Sequence, residues 1–443
     1  MIALVGAASW VPMRWHSSDV KSLELLEGTP VNCLLLEPRE WDAGFVTAAR
    51  SRRMTLVGVV RSADEARRAA GLKLTAVVIE GKADPAVADA ARDAGTGVIL
   101  LPPRSAIRFD SGDAVIGTSQ GLWPGVEAEH NGKSVIGPTS TPWINTNGGF
   151  LRFVRAAAPD ATIWIGVRPP PHTIYPVERY GQAIGDAALV GARWVVALDD
   201  DLERRLYARD RAAVADWKTI AGYLNYYEQH PEWRGYRAYS RMAVIQGKAS
   251  GGLLSGSLLD MLASQRSCVR VVPPKRLSGE TLKDTRVVLD VDPESLTAPQ
   301  KQAIDEFVAA GGLVINPPAK WRFPETSDDQ IILERRQADK LQSLWEVTYN
   351  ATVRKNFGVR TFNTTGILSS VLASPDGKSV LVHLVNFLDF PGEAITIHVL
   401  GKWKKAVMYR LDGVPVEVPV FDVAEGTGVE VEKLPLMATI RME

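Results

Sequence analysis

The first 200 residues alternate short apolar runs, rich in β-branched residues, with amphipathic segments. The runs are Ile2–Gly6, Asn32–Glu37, Thr55–Val60, Ala76–Gly81, Gly97–Pro102, Ala114–Ser119, Thr162–Val167 and Trp194–Asp199. The segments between them have helical periodicity, as in Ala63–Gly71, Pro85–Gly95 and Phe150–Ala158. Runs that are apolar on both faces are typical of parallel strands covered by helices. Eight such runs predict an α/β fold with a (β/α)₈ TIM-like barrel over residues 1–240.

Two points of this prediction remain open, the assignment of strand six and the topology of the sheet. Ser134–Gly137 is a ninth strand candidate, which we place in an elaborated loop after strand six, although it could itself be strand six. A doubly wound open sheet is the competing topology for the same pattern of strands and helices.

Residues 201–240 are predicted to form a charge-dense connection with one helix, Ala213–Gln229. A second α/β unit is predicted over 241–330, with helices at Gly252–Gln265 and Pro299–Ala310. Thr297 and Gln300 form a capping box at the start of the second helix. The strands of this unit, a small flavodoxin-like sheet, are Met242–Gln246, Cys268–Val272, Arg286–Val291 and Leu313–Asn316.

Residues 331–443 are predicted to begin with one helix and to continue as a small antiparallel β-sandwich. Short runs of alternating hydrophobicity follow one another from Ser379 to Met442, and Asp412-Gly413 is a hairpin signal between two of them.

Composition and charge narrow the function. Apolar residues make up 46% of the chain, and 51 basic residues balance 51 acidic ones. A neutral chain without a basic block predicts no nucleic-acid partner, and no apolar run reaches the ~18 residues of a membrane span. The two cysteines and the scattered histidines predict no disulfide, metal or other cofactor. The compartment stays open between cytoplasmic and periplasmic or secreted, because a signal peptide could have been removed.

The order of barrel, flavodoxin-like domain and β-sandwich resembles that of the β-galactosidases of glycoside hydrolase family 42. The segment Arg241–Trp321 is the most similar to their glutamine-amidotransferase-like domain. It has a Gly-rich turn (Gly247, Gly251, Gly252) after its first strand and the stretch Phe307–Ile315 with its Gly-Gly pair. The resemblance implies glycoside hydrolase activity on a carbohydrate substrate and a homo-oligomer formed through the middle domain.

The catalytic pattern of that family is only partly present. An Asn-Glu pair follows strand four in the family, and here strand four ends in Ile79-Glu80. The family's nucleophilic Glu follows strand seven, where this chain has Arg168-Pro169 instead. The middle domain lacks the nucleophile elbow of a glutaminase and is expected to be structural.

Barrel enzymes carry their chemistry at the carboxyl ends of the strands. Three carboxylates, Glu37, Glu80 and Asp199, end strands two, four and eight. Glycoside hydrolysis needs two carboxyl groups, one protonated and one ionised. We therefore predict Glu80 as the general acid, Glu37 or Asp199 as the nucleophile or base, and convergence of the three at one height.

Two loops and several strand ends are predicted to bind the sugar. The segments Trp123–Glu127 and Thr141–Asn145 combine an aromatic side chain, a proline and polar groups, a mixture that suits sugar rings. The predicted substrate-binding residues are Gln120, Trp123, Glu127, Trp143, Asn145, Arg168 and Asp200.

Three hypotheses for function remain. The main one is a glycoside hydrolase-like enzyme that cleaves a small glycoside or oligosaccharide with paired carboxylates. The second is a non-catalytic carbohydrate-binding or scaffold protein with a degenerate barrel. The third is an open-sheet α/β protein with no relation to sugars.

Overall fold

The computed structural model describes residue 4 and residues 6–139, 141–248, 256–264, 268–317, 331, 333–352 and 356–443. The chain is a mixed α/β protein with several parallel sheets and, in its C-terminal part, two antiparallel sheets. Gly251 and Gly252 of the predicted Gly-rich turn lie outside the described residues.

In the described part of residues 1–200, eight parallel strands form two sheets. The five-stranded sheet consists, in spatial order, of β1 (Pro12–Trp15), β2 (Cys33–Leu36), β3 (Thr55–Val59), β4 (Ala76–Glu80) and β5 (Gly97–Leu101). The three-stranded sheet has the order β11 (Arg193–Trp194), β9 (Thr162–Ile165) and β6 (Val115–Thr118).

The two sheets join at one edge and lie side by side at the other. Met13 of β1 forms a parallel bridge with Val196, and the Arg14 amide donates to the Val196 carbonyl at 2.8 Å. At the other edge β5 and β6 are not neighbours in a hydrogen-bonded ladder, although all of residues 97–118 are described. The arrangement is consistent with a TIM-like barrel.

Alternation along the strands separates an inner core from an outer one, because successive side chains point to opposite faces. Leu34 and Leu36 of β2 belong to the large outer cluster that packs under the helices. The inner cluster takes alternate residues of six of these strands together with Val195, just after β11, and includes Cys33, Leu35, Val57, Val59, Ala76, Val78, Ile99, Leu101, Val115 and Trp164.

The helices of this region lie between the strands in sequence. The bounds are α1 (Ala43–Ser51), α2 (Ala63–Gly71), α3 (Pro85–Asp93), α4 (Gly148–Ala157), α5 (Val177–Ala188), α6 (Asp200–Tyr207) and α7 (Arg211–Glu228). Short polar side chains cap the first turns of α1, α2, α3, α6 and α7; Asp42, for example, accepts the Phe45 amide at 2.9 Å. Between β5 and β6 the chain makes only a short 3₁₀ turn, Arg104–Ala106.

The sequence prediction for this region is confirmed in most of its elements and wrong in two. The first strand is Pro12–Trp15, whereas Leu4 and Gly6, the described residues of the predicted Ile2–Gly6 run, lie outside any strand. The charge-dense stretch after Asp199 is a helix, α6, rather than an irregular connection, so the 201–240 segment contains two helices.

Ser134–Gly137 lies in an added hairpin after β6 and is not itself one of the eight parallel strands. The hairpin consists of β7 (Val126–His130) and β8 (Lys133–Gly137), and the short strand β10 (Thr173–Ile174) pairs parallel with β8. Every residue of β7 is exposed. The run Ala114–Ser119, which contains β6, therefore remains strand six, as the sequence predicts.

A four-stranded parallel sheet forms the middle of the chain. Its spatial order is β14 (Arg270–Val272), β13 (Met242–Ile245), β15 (Val287–Asp290) and β16 (Leu313–Ile315). This second-first-third-fourth order is that of flavodoxin-like sheets. The accompanying helices are α8 (Ser257–Ser264) and α9 (Ala298–Ala309), and the predicted capping box of α9 is present, with the Thr297 amide donating to Gln300 at 2.8 Å.

Helix α10 (Arg335–Ala351) precedes two antiparallel sheets that share an apolar core. One sheet has the order β12 (Arg237–Ala238), β18 (Ile367–Ala373), β19 (Val380–Asn386), β25 (Met437–Met442), β21 (Ala406–Arg410) and β22 (Val416–Val418). The other has the order β17 (Val359–Phe362), β20 (Gly392–Leu400), β24 (Gly426–Leu434) and β23 (Val420–Asp422).

A buried polar network centres on Asn147, just before α4. Arg104 Nη2 donates to Asn147 Oδ1 at 2.6 Å, and the Asn147 backbone amide donates to Asp186 Oδ2 at 2.6 Å. Asp260 of the middle unit enters the same network, because its Oδ1 accepts the Gly149 amide at 2.5 Å. Burial raises the pKa of Asp186 to about 6 and raises that of Asp260. The network therefore ties the middle unit to α4 while keeping two carboxyl groups away from water.

The ionisation of Asp186 should make stability depend on pH. An aspartate in an unfolded chain has a pKa of about 3.9, so the folded state holds its proton more tightly. The corresponding stability is fully present below pH 4 and is lost as the pH rises through about 6. We expect the free energy of unfolding of Asp186→Asn, relative to wild type, to increase between pH 4 and 7 by on the order of 2–3 kcal/mol. Denaturant titrations across this pH range measure the difference, and a constant difference would contradict the expectation. The exposed Asp110→Asn is the matched control.

Candidate active site

Charged side chains gather where the inner faces of the parallel strands end. Arg14 of β1, Glu37 after β2, Arg61 after β3, Glu80 at the end of β4 and Arg168 after β9 continue the alternation of the inner apolar residues. The carboxyl ends of parallel strands meet at one edge, so side chains with this alternation converge there. At this edge the apolar inner core is therefore followed by a layer of charged side chains, which we call the ion cluster.

Arg168 connects the two predicted carboxylates. Its Nη2 contacts Glu37 Oε1 and lies 3.9 Å from Glu80 Oε2. Glu37 is nine-tenths buried, and both of its oxygens are bound by Arg61, at 2.7 and 3.1 Å. Glu80 Oε1 contacts the buried Arg14, so Glu80 Oε2 is the oxygen held least closely. The parity of the strands predicts that Glu37 and Glu80 lie close together. In the structure both carboxylates are near the Arg168 guanidinium.

Two of the three nitrogens of the Arg14 guanidinium group are left without a hydrogen bond. Arg14 is 3% exposed, and its Nε and Nη1 are buried without a hydrogen-bond partner in the structure. A buried charged donor without an acceptor costs free energy, so such groups mark places where a solvent or ligand oxygen is favoured. These donors lie beside the Glu80 carboxylate.

Glu203 and His16 complete the cluster, and neither was among the predicted site residues. Glu203 lies in the first turn of α6, and both of its oxygens face His16 Nδ1, at 2.9 and 3.1 Å. Burial and Arg14 lower the pKa of Arg168 to about 10, and the negative charge of Glu203 opposes this shift. Arg14, Arg168 and Glu203 therefore share one electrostatic environment. One sequence feature could have identified Glu203 as a site residue: it lies four residues after Asp199, in a helix that directly follows a strand end.

Asp199 is held elsewhere, although it ends a strand like the other two acids. Its Oδ1 caps α6 by accepting the Leu202 amide at 3.0 Å, and its Oδ2 accepts the Tyr180 hydroxyl at 2.8 Å. It is 1% exposed, and burial raises its pKa. The predicted convergence thus unites Glu37 and Glu80 and leaves Asp199 as a buried helix cap.

Trp123 packs among aromatic side chains rather than standing free above the strands. Its ring centroid lies 4.4 Å from that of Tyr175, 5.2 Å from Tyr180 and 5.0 Å from Trp194. Its Nε1 is buried without a hydrogen-bond partner in the structure. These contacts indicate a structural role for most of the ring.

The other predicted binding residues are spread over the molecule. Gln120 Oε1 accepts the Arg104 amide at 2.9 Å, and Asn145 Nδ2 donates to the Gly125 carbonyl at 2.7 Å. Glu127 lies on the exposed hairpin strand β7, and Asp200 is exposed at the start of α6. The backbone of Trp143 lies in a short 3₁₀ turn, and its side chain is outside what the structure describes.

The described part of the chain contains neither a cluster of potential metal ligands nor a membrane-spanning helix. Within those residues no group of three or more His, Cys, Asp or Glu side chains is arranged to hold a metal ion. The helices in the same ranges are all too short or too polar to cross a bilayer.

Comparison with known proteins places the fold. No family model and no curated protein matches the sequence. Among solved structures, α-L-fucosidase isoenzyme 2 from Paenibacillus thiaminolyticus aligns over 98% of this chain and 99% of its own, with a TM-score of 0.65 and 9% identity. The fold is glycosidase-like.

Two further solved structures align with this chain at lower TM-scores. A rhamnosidase from Novosphingobium sp. PP1Y aligns over 95% of this chain and 43% of its own, with a TM-score of 0.46 and 12% identity. A β-galactosidase from Rahnella sp. R3 aligns over 97% and 99%, with a TM-score of 0.43 and 9% identity. At 9% identity the likeness to the fucosidase concerns the fold alone.

Removing the Trp123 ring should destabilise the protein, because three aromatic neighbours would lose their packing. For Trp123→Ala we expect a loss of about 3 kcal/mol in the free energy of unfolding, in the range of buried Trp→Ala changes. Trp123→Phe keeps a ring at the site and should lose less than half of that. Chemical denaturation measures both values. A Trp123→Ala variant as stable as wild type would instead support the sugar-stacking role predicted from the sequence.

Proposed function

We propose that the two parallel sheets close into a (β/α)₈ barrel and that the ion cluster at its mouth is the active site of a glycoside hydrolase. The observation that supports this most directly is the contact of Glu37 and Glu80 with one guanidinium at the carboxyl ends of the strands. Glycoside hydrolases cleave the glycosidic bond with a pair of carboxyl groups, and barrel enzymes carry their catalytic residues at this edge. The substrate is a small glycoside or oligosaccharide.

Within this pair we give Glu80 the role of the nucleophile. A guanidinium-bound carboxylate is suited to present negative charge to an electron-poor anomeric carbon rather than to release a proton. Glu80 Oε2 is the oxygen available for this, because Arg14 contacts the other oxygen and Arg168 Nη2 lies 3.9 Å from Oε2. Both oxygens of Glu37 are taken by Arg61, so Glu37 positions Arg168 instead. This assignment reverses the general-acid role that the sequence suggested for Glu80.

The role of Glu80 fixes the stereochemical outcome that we expect. A carboxylate nucleophile forms a covalent glycosyl-enzyme intermediate, which water then hydrolyses, so the product keeps the anomeric configuration of the substrate. Because Glu37 positions Arg168, the Glu37–Glu80 spacing does not bear on this outcome. We therefore propose retention of anomeric configuration.

The rest of the chain fits a supporting role in this proposal. We infer three units, residues 1–240 with the active site, 241–330 as a structural middle unit and 331–443 as a helix followed by a β-sandwich. Asp260 anchors the middle unit to α4, and Arg152 of α4 donates to the Ser369 carbonyl of the C-terminal sheet at 3.2 Å. We further propose that the protein is a homo-oligomer.

A second candidate function is carbohydrate binding without catalysis. The observation in its favour is that Arg14, Arg61 and Arg168 together engage both Glu37 and Glu80, as in a structural ion network. A protein of this kind would bind sugars and leave the glycosidic bond intact.

A panel of aryl glycosides that includes α-L-fucosides and β-galactosides tests the proposal, together with an oligosaccharide binding array. We expect Glu80→Gln to lose turnover by at least a thousandfold while keeping its affinity for the substrate, because the amide retains the shape and lacks the charge. Glu129→Gln, on the exposed hairpin, should behave as wild type. Binding without hydrolysis of any substrate by wild type would favour the second candidate. Full activity of Glu80→Gln would remove Glu80 from the mechanism.

A further inference from the structure

The proposed hydrolase needs a proton donor, and neither Glu37 nor Glu80 is placed to act as one. Both carboxylates are bound by arginines, and an arginine-bound carboxylate is stabilised as the anion. Hydrolysis of an unactivated glycoside requires a carboxylic acid that protonates the departing oxygen. We infer that Glu203, held by His16, is this acid and acts as the base in the second half of the reaction; the inference rests on the proposed function.

The geometry of Glu203 differs from that of the other two acids. Its carboxylate is bound by an imidazole, His16 Nδ1, at 2.9 and 3.1 Å, rather than by a guanidinium. Imidazole exchanges protons near neutral pH, whereas arginine does not. Glu203 therefore differs from Glu37 and Glu80 in having a proton-exchanging side chain, rather than an arginine, as its partner.

Glu203 also lies within the cluster and near its surface. Both Glu203 and His16 have side chains that are 16% exposed, which leaves an edge of the pair open to a ligand. Tyr207 contacts both residues, and Arg168 and Glu40 are charged groups within electrostatic range of this set of side chains. Tyr207 lies 3.4 Å from Glu203 Oε1, receives the His16 amide at 3.1 Å, and has a pKa raised by burial and by the charge of Glu203. Arg168 contacts Glu37, lies 3.9 Å from Glu80 Oε2 and is within electrostatic range of Glu203, so the proposed donor and nucleophile both act on one guanidinium.

The first step can be written with its bonds and protons in balance. A Glu80 carboxylate oxygen forms a bond to the anomeric carbon while the bond from that carbon to the leaving oxygen breaks. The Glu203 carboxyl proton passes to the leaving oxygen, which departs as an alcohol. In the second step the Glu203 carboxylate takes a proton from water, and the water oxygen bonds to the anomeric carbon and displaces Glu80. The net reaction adds one water across the glycosidic bond.

This role predicts a dependence on the leaving group that a structural residue would not show. We expect Glu203→Gln to lose 10²–10⁴-fold in kcat/KM on glycosides with poor leaving groups, the usual contribution of general acid catalysis. On dinitrophenyl glycosides, whose leaving group needs no proton, kcat/KM should fall less than tenfold. Arg204→Gln, exposed on the same helix, is the matched control and should keep wild-type values.

Azide separates the two roles further. In Glu203→Ala, azide should restore turnover of the dinitrophenyl glycoside and give a glycosyl azide with the configuration of the substrate, because azide attacks the Glu80-bound sugar without needing a base. In Glu80→Ala, an azide product should have the inverted configuration. Circular dichroism of Glu203→Gln and Glu203→Ala checks that both variants fold.

The outcomes distinguish the inference from the proposed function. Equal losses of Glu203→Gln on good and poor leaving groups, or no loss on either, would overturn the role of Glu203, and the hydrolase would stand if Glu80→Gln were inactive. Misfolding of Glu203→Gln and Glu203→Ala alike would assign the residue to structure and overturn the inference. A wild-type protein inactive on the whole panel would overturn both proposals.

Discussion

The position of every strand-end side chain depends on one constraint, the common direction of the parallel strands. Because their carboxyl ends meet at one edge, the inward side of β2 and β4 delivers Glu37 and Glu80 to the same place as Arg14 and Arg168. Like charges collected in this way would repel, and the arginines offset that repulsion. The ion cluster is thus a consequence of strand direction and strand parity, and its chemistry follows from which charges remain incompletely paired.

The buried network around Asn147 shows a different use of polar groups. Asp186 and Asp260 lie away from water, and their raised pKa values reflect the cost of charging them there. Breaking such a network is more costly than its net contribution suggests, because each partner left behind is a buried polar group without a hydrogen bond. The network therefore fixes the relative position of α4, α5 and α8, which a purely apolar contact would specify less sharply.

Much of the fold follows from the sequence pattern, and the errors have physical reasons. Apolar runs mark β2 to β5 because those strands are buried on both sides. Strand β1 escaped detection because it contains Pro12 and the ion-cluster residue Arg14, which break the apolar run. Helix α6 was missed for a related reason, since its charges resemble a solvated loop while Leu202 and Leu206 are its buried residues. For the site, parity predicted that Glu37 and Glu80 meet, but parity cannot reveal that Asp199 turns to Tyr180 or that Glu203 faces His16.

The edge between β5 and β6 has a consequence for how the chain could be rearranged. Here the strands share no hydrogen-bonded ladder, and the connection Pro102–Ala114 supplies a single 3₁₀ turn instead of a covering helix. Chain termini introduced at its exposed residues, such as Asp110 and Gly112, would interrupt no strand pairing. This connection is the natural place to open the polypeptide for circular permutation, with the ion cluster kept on the other strands.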